Sequence, residues 1–283
     1  MKTIQRTAHA KVNLALHVVG QRADGYHLLD SLVAFTQFGD EITITGDDSL
    51  PSILSISIDG PVAEGLEAGA NNLVYRAAMM LATTLSDQGH EISPVQIHLE
   101  KKLPIASGIG GGSTDAAATL IALKDHWAAG MEIDLKPLAE QLGADVTMCL
   151  HARTLRARGI GHDIDFPPLP APLYLVLVNP GVEVSTPDVF KTLTNKDNPE
   201  ITSLDDLGAL RNDLQQAAIK IEPAIGAVLD RLAETSPVFS RMSGSGATCF
   251  GVYETQQKAE DAAQRIAKDN PHWWCVASPT TIS

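Results

Sequence analysis

Four glycines, Gly108, Gly110, Gly111 and Gly112, fall within one short stretch that reads Leu103-Pro-Ile-Ala-Ser-Gly-Ile-Gly-Gly-Gly-Ser-Thr-Asp-Ala-Ala-Ala118. Lacking a Cβ, such residues let backbone N–H groups crowd around a bulky anion at little steric cost. Ser113, Thr114 and Asp115 follow as helix-start residues, and the small-residue run 116–123 reads as the helix body. A glycine loop emptying into a helix N-terminus offers unpaired N–H donors and the positive end of the helix dipole, which together suit phosphate. A strand pattern ahead of the loop, a helix behind it, and Lys101 and Lys102 just upstream favour that reading over a plain flexible turn. Spacing removes two familiar phosphate loops. No Gly-Lys pair occurs anywhere, so the nucleoside-triphosphatase loop is excluded, and Ser113 occupies the slot where a dinucleotide fingerprint needs its third glycine. The His-Arg-Asp of protein kinases is also missing.

Other residues with chemical potential lie on either side of the loop. Val12, Leu14, Leu16 and Val18 alternate with Lys11, Asn13, Ala15 and His17, which makes residues 8–19 a half-buried strand. Lys11 and Asn13 then share a face, either as solvated side chains or as a lysine–amide pair serving a cleft. Tyr26 and His27 follow the turn 20–25, where a loop can present them to a ligand. Asp145, in Gly143-Ala-Asp-Val146, sits just past an expected helix end, as a turn or cap residue or as a carboxylate that orients or deprotonates a hydroxyl. Ser185-Thr-Pro187 opens a helix, with Thr186 read as its cap. Ser243-Gly-Ser-Gly246 precedes a strand at 247–253.

The elements that must hold these residues can be read from periodicity. Strands are expected at 31–37, 41–45, 53–59 and around Val95, Ile97 and Leu99, the last delivering the chain to the glycine loop. A helix opens at Asn71-Asn72, with Leu73, Ala77, Leu81 and Leu85 on one face. A second short helix covers 135–142 with Gly143 as its C-cap. The proline-dense run 166–172 is the expected domain boundary, dividing the chain into 1–165 and 166–283. Beyond it a buried strand at 173–178, helices over 205–218, 224–235 and 255–268, and a last strand at 274–277 suggest a smaller α+β domain.

Bulk properties bound the function. The chain has 283 residues, enough for two modest domains, and a net charge of −13 from 21 basic and 34 acidic residues, which disfavours nucleic acid and anionic membrane as partners. Three cysteines without C-x-x-C spacing suit a reducing, cytoplasmic setting. The N-terminal residues carry no apolar signal segment, and apolar runs such as 173–178 fall far short of the ~18 residues of a membrane span.

With these motifs in hand, the chain resembles the GHMP small-molecule kinases nearly end to end. The Lys11-Val-Asn-Leu strand, the loop from Pro104 to Ala117 and the Ser243-Gly-Ser-Gly246 turn occur in the family's order. Ala10-Lys-Val-Asn-Leu-Ala-Leu16 and Arg22-Ala-Asp-Gly-Tyr-His27, with Gly143-Ala-Asp-Val146 and Ser185-Thr-Pro187, are similar to the members that phosphorylate a cytidyl diphosphate sugar alcohol. The resemblance implies a two-domain α+β fold with the active site in the interdomain cleft, and ATP with Mg²⁺ as cofactors. It implies that Asp145 accepts the hydroxyl proton and that Lys11 holds the aspartate and the reacting group. By the same resemblance Pro104, Ile105, Ala106, Ser107, Gly108, Ile109, Gly110, Gly111, Gly112, Ser113 and Thr114 wrap the triphosphate, with Lys101 and Asn72 near the nucleoside. Asn13, Tyr26, His27, Thr186 and Phe190 would bind the cytidyl substrate, aromatic rings flanking the base. No carboxylate pair presents itself for the metal; Ser113 is a candidate. Two positions depart from the family pattern: Thr147 where proline is usual and His162 where glutamate is common. A homoserine or mevalonate kinase is the nearest rival, and a non-catalytic RNA-binding or scaffold protein the rival from another class.

Overall fold

The computed structural model describes residues 2–169 and 172–281. The chain forms two compact units, each assembled from three separate segments. Two long strands, β1 (Thr3–Gln21) and β2 (His27–Gly46), contribute a part to each unit.

The first unit takes the chain up to Ala10 together with Gly39–Ile105 and Gly111–His151. In it the end of β2 pairs antiparallel with β4 (Val95–Glu100), and β3 (Leu54–Asp59) runs parallel to β4. Two strands were expected over 31–45, split at Gly39-Asp40; one continuous strand is found. Gly39 is no breaker here, because a Cβ on it would lie 2.2 Å from the Ala8 carbonyl oxygen. The glycine therefore permits close strand contact rather than ending the strand. Helix α1 (Leu73–Asp87) begins at its Asn72 cap and buries Val74, Ala77, Ala78, Leu81 and Leu85. Against it packs α2 (Gly111–Trp127), followed by α3 (Lys136–Leu142) and α4 (Ala144–Cys149). Helix α2 starts at Gly111, earlier than the hydroxyl and carboxylate residues that were expected to open it.

The second unit takes Lys11–Phe38, Ala106–Gly110 and the chain from Ala152 onward. The expected boundary at 165/166 thus falls inside it; Pro170 and Ala171 of the proline run lie outside the described residues. The start of β2 pairs with β5 (Leu155–Gly159), which forms a hairpin with β6 (Asp163–Asp165). A four-stranded antiparallel sheet follows from β7 (Tyr174–Asn179), β8 (Phe239–Met242), β9 (Cys249–Tyr253) and β10 (Trp274–Pro279), in the order β10-β7-β9-β8. Helices α5 (Thr186–Thr192), α6 (Gln215–Ile221), α7 (Ala224–Ala233) and α8 (Gln256–Asp269) complete the unit. Its core joins Val176 and Val178 of the sheet to Ile225, Val228, Leu232 and Ile266 of the helices.

The helix expected over 205–218 reduces to a 3₁₀ turn at Leu207–Ala209 and to α6. Side chains compete with the helical ladder there: Asp206 accepts from the N–H groups of Gly208 and Ala209, and Asn212 from that of Leu214. Helix α5 is capped by Ser185, whose Oγ accepts from Asp188 N, so Thr186 is its first helical residue and not its cap.

Candidate active site

The glycine loop is shaped by what presses against it. A Cβ on Gly108 would lie 2.6 Å from the Ser243 carbonyl oxygen and 2.7 Å from that of Gly246, and both Gly108 and Gly110 have positive φ, 75° and 67°. Only glycine meets both conditions without strain. Ser243 Oγ donates to Gly108 O at 3.0 Å and accepts from Asn13 N at 3.0 Å, while Lys11 N donates to Ile109 O at 2.9 Å. Thr248 N closes the base of the loop on Ser107 O at 3.1 Å. The Ser243-Gly-Ser-Gly246 turn is thus the bed on which residues 107–109 lie, a role its sequence alone did not specify. Ala106, with φ of 50°, adds a non-glycine residue in the left-handed region beside it. Gly111, Gly112, Ser113 and Thr114 form the first turn of α2, where Thr114 Oγ1 donates to Gly111 O at 2.9 Å, and a helix start of this kind suits an anion. Pro104 and Ile105 lead in from the first unit, Ile105 being exposed.

Lys101, just upstream of the loop, is engaged by two carboxylates. Its ammonium is buried, 2.5 Å from Asp40 Oδ2 and 2.9 Å from Asp115 Oδ2. Burial opposes its charge, but the Asp115 and Asp40 carboxylates prevail and hold its pKa above the ordinary lysine value. Asp40 and Asp115 were not singled out from the sequence, where one looked like a strand-end residue and the other like a helix opener. Asn72 is similarly engaged in structure: its Oδ1 accepts from Val74 N at 2.8 Å and its Nδ2 donates to Glu67 O at 3.0 Å.

Asn13 is buried and donates from Nδ2 to Ser31 Oγ at 2.7 Å; its Oδ1 has no hydrogen-bond partner among the described residues. It lies with the loop bed, Oδ1 being 3.5 Å from where a Gly244 Cβ would stand. The other four residues expected to bind substrate line a single cavity of about 610 Å³: Tyr26, His27, Thr186 and Phe190. The rings of His27 and Phe190 stack with centroids 4.6 Å apart and planes 22° apart. Burial, with Lys196 nearby, lowers the His27 pKa, so the ring stays neutral near neutral pH, and its buried Nε2 has no hydrogen-bond partner among the described residues. Thr186 Oγ lies 2.7 Å from Ser245 Oγ, linking the cavity to the glycine turn. Tyr26 is 65% exposed, a ring free to close over a planar ligand. Gln21, Ile160 and Lys196 complete the wall, and nothing in their local sequence marked them.

Asp145 lies in the first turn of α4, half-buried, with Gly143 serving as the C-cap of α3 through its N–H to Ala139 O. It lies just past the end of α3, as expected, but as a helical residue of α4 and not in an irregular turn. Lys11 is buried on β1, and its Cβ would be 3.1 Å from one on Gly110. Among the described residues no group of three or more His, Cys, Asp or Glu is arranged to hold a metal ion.

Comparison with known proteins places these features in a family. Residues 72–153 match the model for the GHMP kinases N terminal domain, and residues 191–272 that for the GHMP kinases C terminal. The chain is 49% identical to the 4-diphosphocytidyl-2-C-methyl-D-erythritol kinase of Agrobacterium fabrum, over 96% of this chain and 95% of that protein. It is 46% identical to the protein of the same name from Brucella melitensis, over 98% and 95%. Among solved structures, a 4-(cytidine 5'-diphospho)-2C-methyl-D-erythritol kinase superposes with a TM-score of 0.83 at 33% identity, covering 99% of this chain and all of that one. A homoserine kinase from Cytophaga hutchinsonii, at 21% identity and a TM-score of 0.72 over 100% and 95%, shares the fold.

Proposed function

The chain belongs to the 4-diphosphocytidyl-2-C-methyl-D-erythritol kinase family of GHMP kinases, and from that membership we propose its reaction. It transfers the γ-phosphoryl group of ATP to the 2-hydroxyl of 4-diphosphocytidyl-2-C-methyl-D-erythritol, giving the 2-phosphate and ADP on the non-mevalonate route to isoprenoid precursors. The structural observation that carries this reading is the cavity with His27 stacked on Phe190 and Tyr26 at its edge. A pyrimidine base fits such a slot; homoserine and mevalonate have no base to place there.

Phosphoryl transfer needs in-line positioning and compensation of developing charge more than covalent chemistry. In this proposal residues 104–114 and the first turn of α2 hold the triphosphate through backbone N–H groups. Asp145 accepts the proton of the 2-hydroxyl, and Lys11 offsets negative charge on the transferring group. A carboxylate is a weak base toward an alcohol, so proton uptake is late and Asp145 contributes largely by orienting the nucleophile. Asn13 and Thr186 position the polar portion of the substrate, and His27 Nε2 meets the edge of the base. Magnesium enters this reading as the nucleotide's counter-ion, and no step is derived through it.

The two family segments lie on either side of residue 165, which supports assigning nucleotide binding mainly to 1–165 and the remainder of the fold to 166–283. A cytoplasmic location belongs to the same proposal. It is supported by three cysteines that form no disulfide and by the absence, among the described residues, of a helix long and apolar enough to cross a membrane.

A coupled ADP-release assay with the cytidyl substrate, homoserine and mevalonate tests the assignment. Turnover with the cytidyl substrate alone is expected. Asp145→Asn is expected to lose about 10²–10⁴-fold in kcat while binding an ATP analogue as the parent does. Phosphorylation of homoserine or mevalonate instead, or an Asp145→Asn enzyme with undiminished turnover, would refute it.

A further inference from the structure

Beneath the start of α2 three charged side chains are buried together. Lys101 Nζ lies 2.5 Å from Asp40 Oδ2 and 2.9 Å from Asp115 Oδ2, and all three side chains are at most 3% exposed. Asp40 also accepts, through Oδ1, from the N–H groups of Lys102 at 2.5 Å and Leu103 at 2.8 Å, the two residues that lead into the glycine loop. Asp115 Oδ1 accepts from no donor among the described residues. Gly111, the first residue of α2, sits directly above: a Cβ there would be 3.3 Å from Lys101 Nζ and 3.8 Å from Asp40 Oδ2.

One ammonium cannot balance two carboxylates in a site this deeply buried; the leftover charge is costly, and the cluster relieves it by taking up a proton. Asp40 has three donors around it and is stabilised as the anion, whereas Asp115 has one donor and an unpartnered oxygen. The proton therefore belongs on Asp115. We propose that Asp40, Lys101 and Asp115 are positioning residues for the phosphate loop. They form a buried anchor of zero net charge, in which Lys101 and Asp40 are the ion pair and Asp115 is the neutral acid. Burial acts in the same direction, raising the Asp115 pKa well above the ordinary carboxylate value against the opposing pull of Lys101. Neutrality matters because an extra negative charge directly under the first turn of α2 would cancel the field that attracts a phosphate to it. The anchor would fix the loop's entrance through Asp40 and the helix start through Asp115, with Lys101 joining them.

The kinase reading enters only in what the loop binds, so the test has one arm that does not depend on it. Infrared difference spectra of the ligand-free enzyme, parent against Asp115→Asn, are expected to show a protonated-carboxyl C=O band at neutral pH that the variant lacks. In kinetics, asparagine is expected to rescue position 115 but not position 40. Asp115→Ala should raise the KM for ATP about tenfold, Asp115→Asn should return it to within about twofold, and Asp40→Asn should leave it about tenfold high or worse. The KM for the cytidyl substrate should move little in any of them. No protonated-carboxyl band in the parent, or Asp115→Asn as impaired as Asp115→Ala, overturns the proposal. Should Asp40→Asn not fold, the spectrum and the position-115 pair still decide it. A band with the expected behaviour in a protein that turns over no ATP would leave the anchor standing and remove the kinase reading instead.

Discussion

Ser31 donates its hydroxyl hydrogen to Ala15 O at 2.7 Å, so toward Asn13, also 2.7 Å away, its oxygen acts as an acceptor. That fixes the Asn13 amide with Nδ2 inward and Oδ1 toward the loop bed, an orientation assigned by the hydrogen-bond network and not by the sequence. If Oδ1 accepts a hydrogen bond from substrate, Ser31 is a positioning residue one step removed. Ser31→Ala should let the amide turn and lower kcat/KM for the cytidyl substrate by about two- to tenfold, the range of one neutral hydrogen bond. Ser31→Thr, which keeps the hydroxyl, should restore it. A Ser31→Ala enzyme equal to its parent would place Asn13 outside the substrate site. At this scale the sequence was legible where chemistry follows from residue type and backbone. Glycines at 108 and 110, Asn72 at a helix start and an aromatic–imidazole pair at 26–27 all carry their reason locally. It was illegible for Lys101, because the carboxylates that claim it are 61 and 14 residues away in the chain.

Among elements, the most consequential piece lacks regular structure. Residues 194–203 form an irregular strap that carries Lys196 to the cavity. Arg156 on β5 forks onto Asp30 of β2, Nε to Oδ1 at 2.7 Å and Nη2 to Oδ2 at 2.6 Å, and the pair holds the strap through Ile201 O and Ile201 N at 2.8 and 2.7 Å. Asn198 ties the same strap to Val18 O of β1. The Asp30 carboxylate is nearly inaccessible to water. Arg156→Met should therefore destabilise the protein by about 3–5 kcal/mol in urea denaturation, the cost of a buried charge left without its partner. Asp30→Leu combined with Arg156→Met should recover much of that loss while the KM for the cytidyl substrate stays raised, since the strap has lost its polar attachment. Equal losses in the single and double variants would mean that packing, not charge, holds the strap. Periodicity found α1, β4, α7 and α8 because each is amphipathic within itself. It overextended the helix at 205–218, where the polar side chains of Asp206 and Asn212 satisfy backbone donors that a helix would need. It also split β2 at a glycine whose function is contact with β1.

For the molecule as a whole, composition gave the net charge of −13 and pattern an α+β second domain, while the kinase reading came with the family resemblance; none of these indicated a chain whose compact units each draw on three segments. That arrangement depends on where β1 and β2 pass from one set of partners to another, and no local signal marks such a point. Proton linkage offers a test on the same scale. His17, His27 and His126 all have folded-state pKa values below the ordinary 6.5, each chiefly through burial, with Arg211, Lys196 and Lys2 respectively adding to the effect. A histidine depressed in the folded state binds fewer protons there than when unfolded. Its contribution is present above about pH 6.5 and is lost as pH falls through the folded value. Asp115 has the opposite sign: it holds its proton when folded, so its contribution weakens as pH rises through its raised pKa. Urea midpoints measured from neutral pH down to about pH 5 should therefore fall on the histidine account, with Asp115 partly offsetting the slope. In Asp115→Asn that offset is gone and the fall should steepen. His17 is the most buried of the three, its Nδ1 3.0 Å from Pro199 O, so His17→Gln should flatten the curve more than His126→Gln does. A midpoint that rises on acidification, or an Asp115→Asn curve parallel to the parent's, would contradict the protonation states assigned to these buried groups.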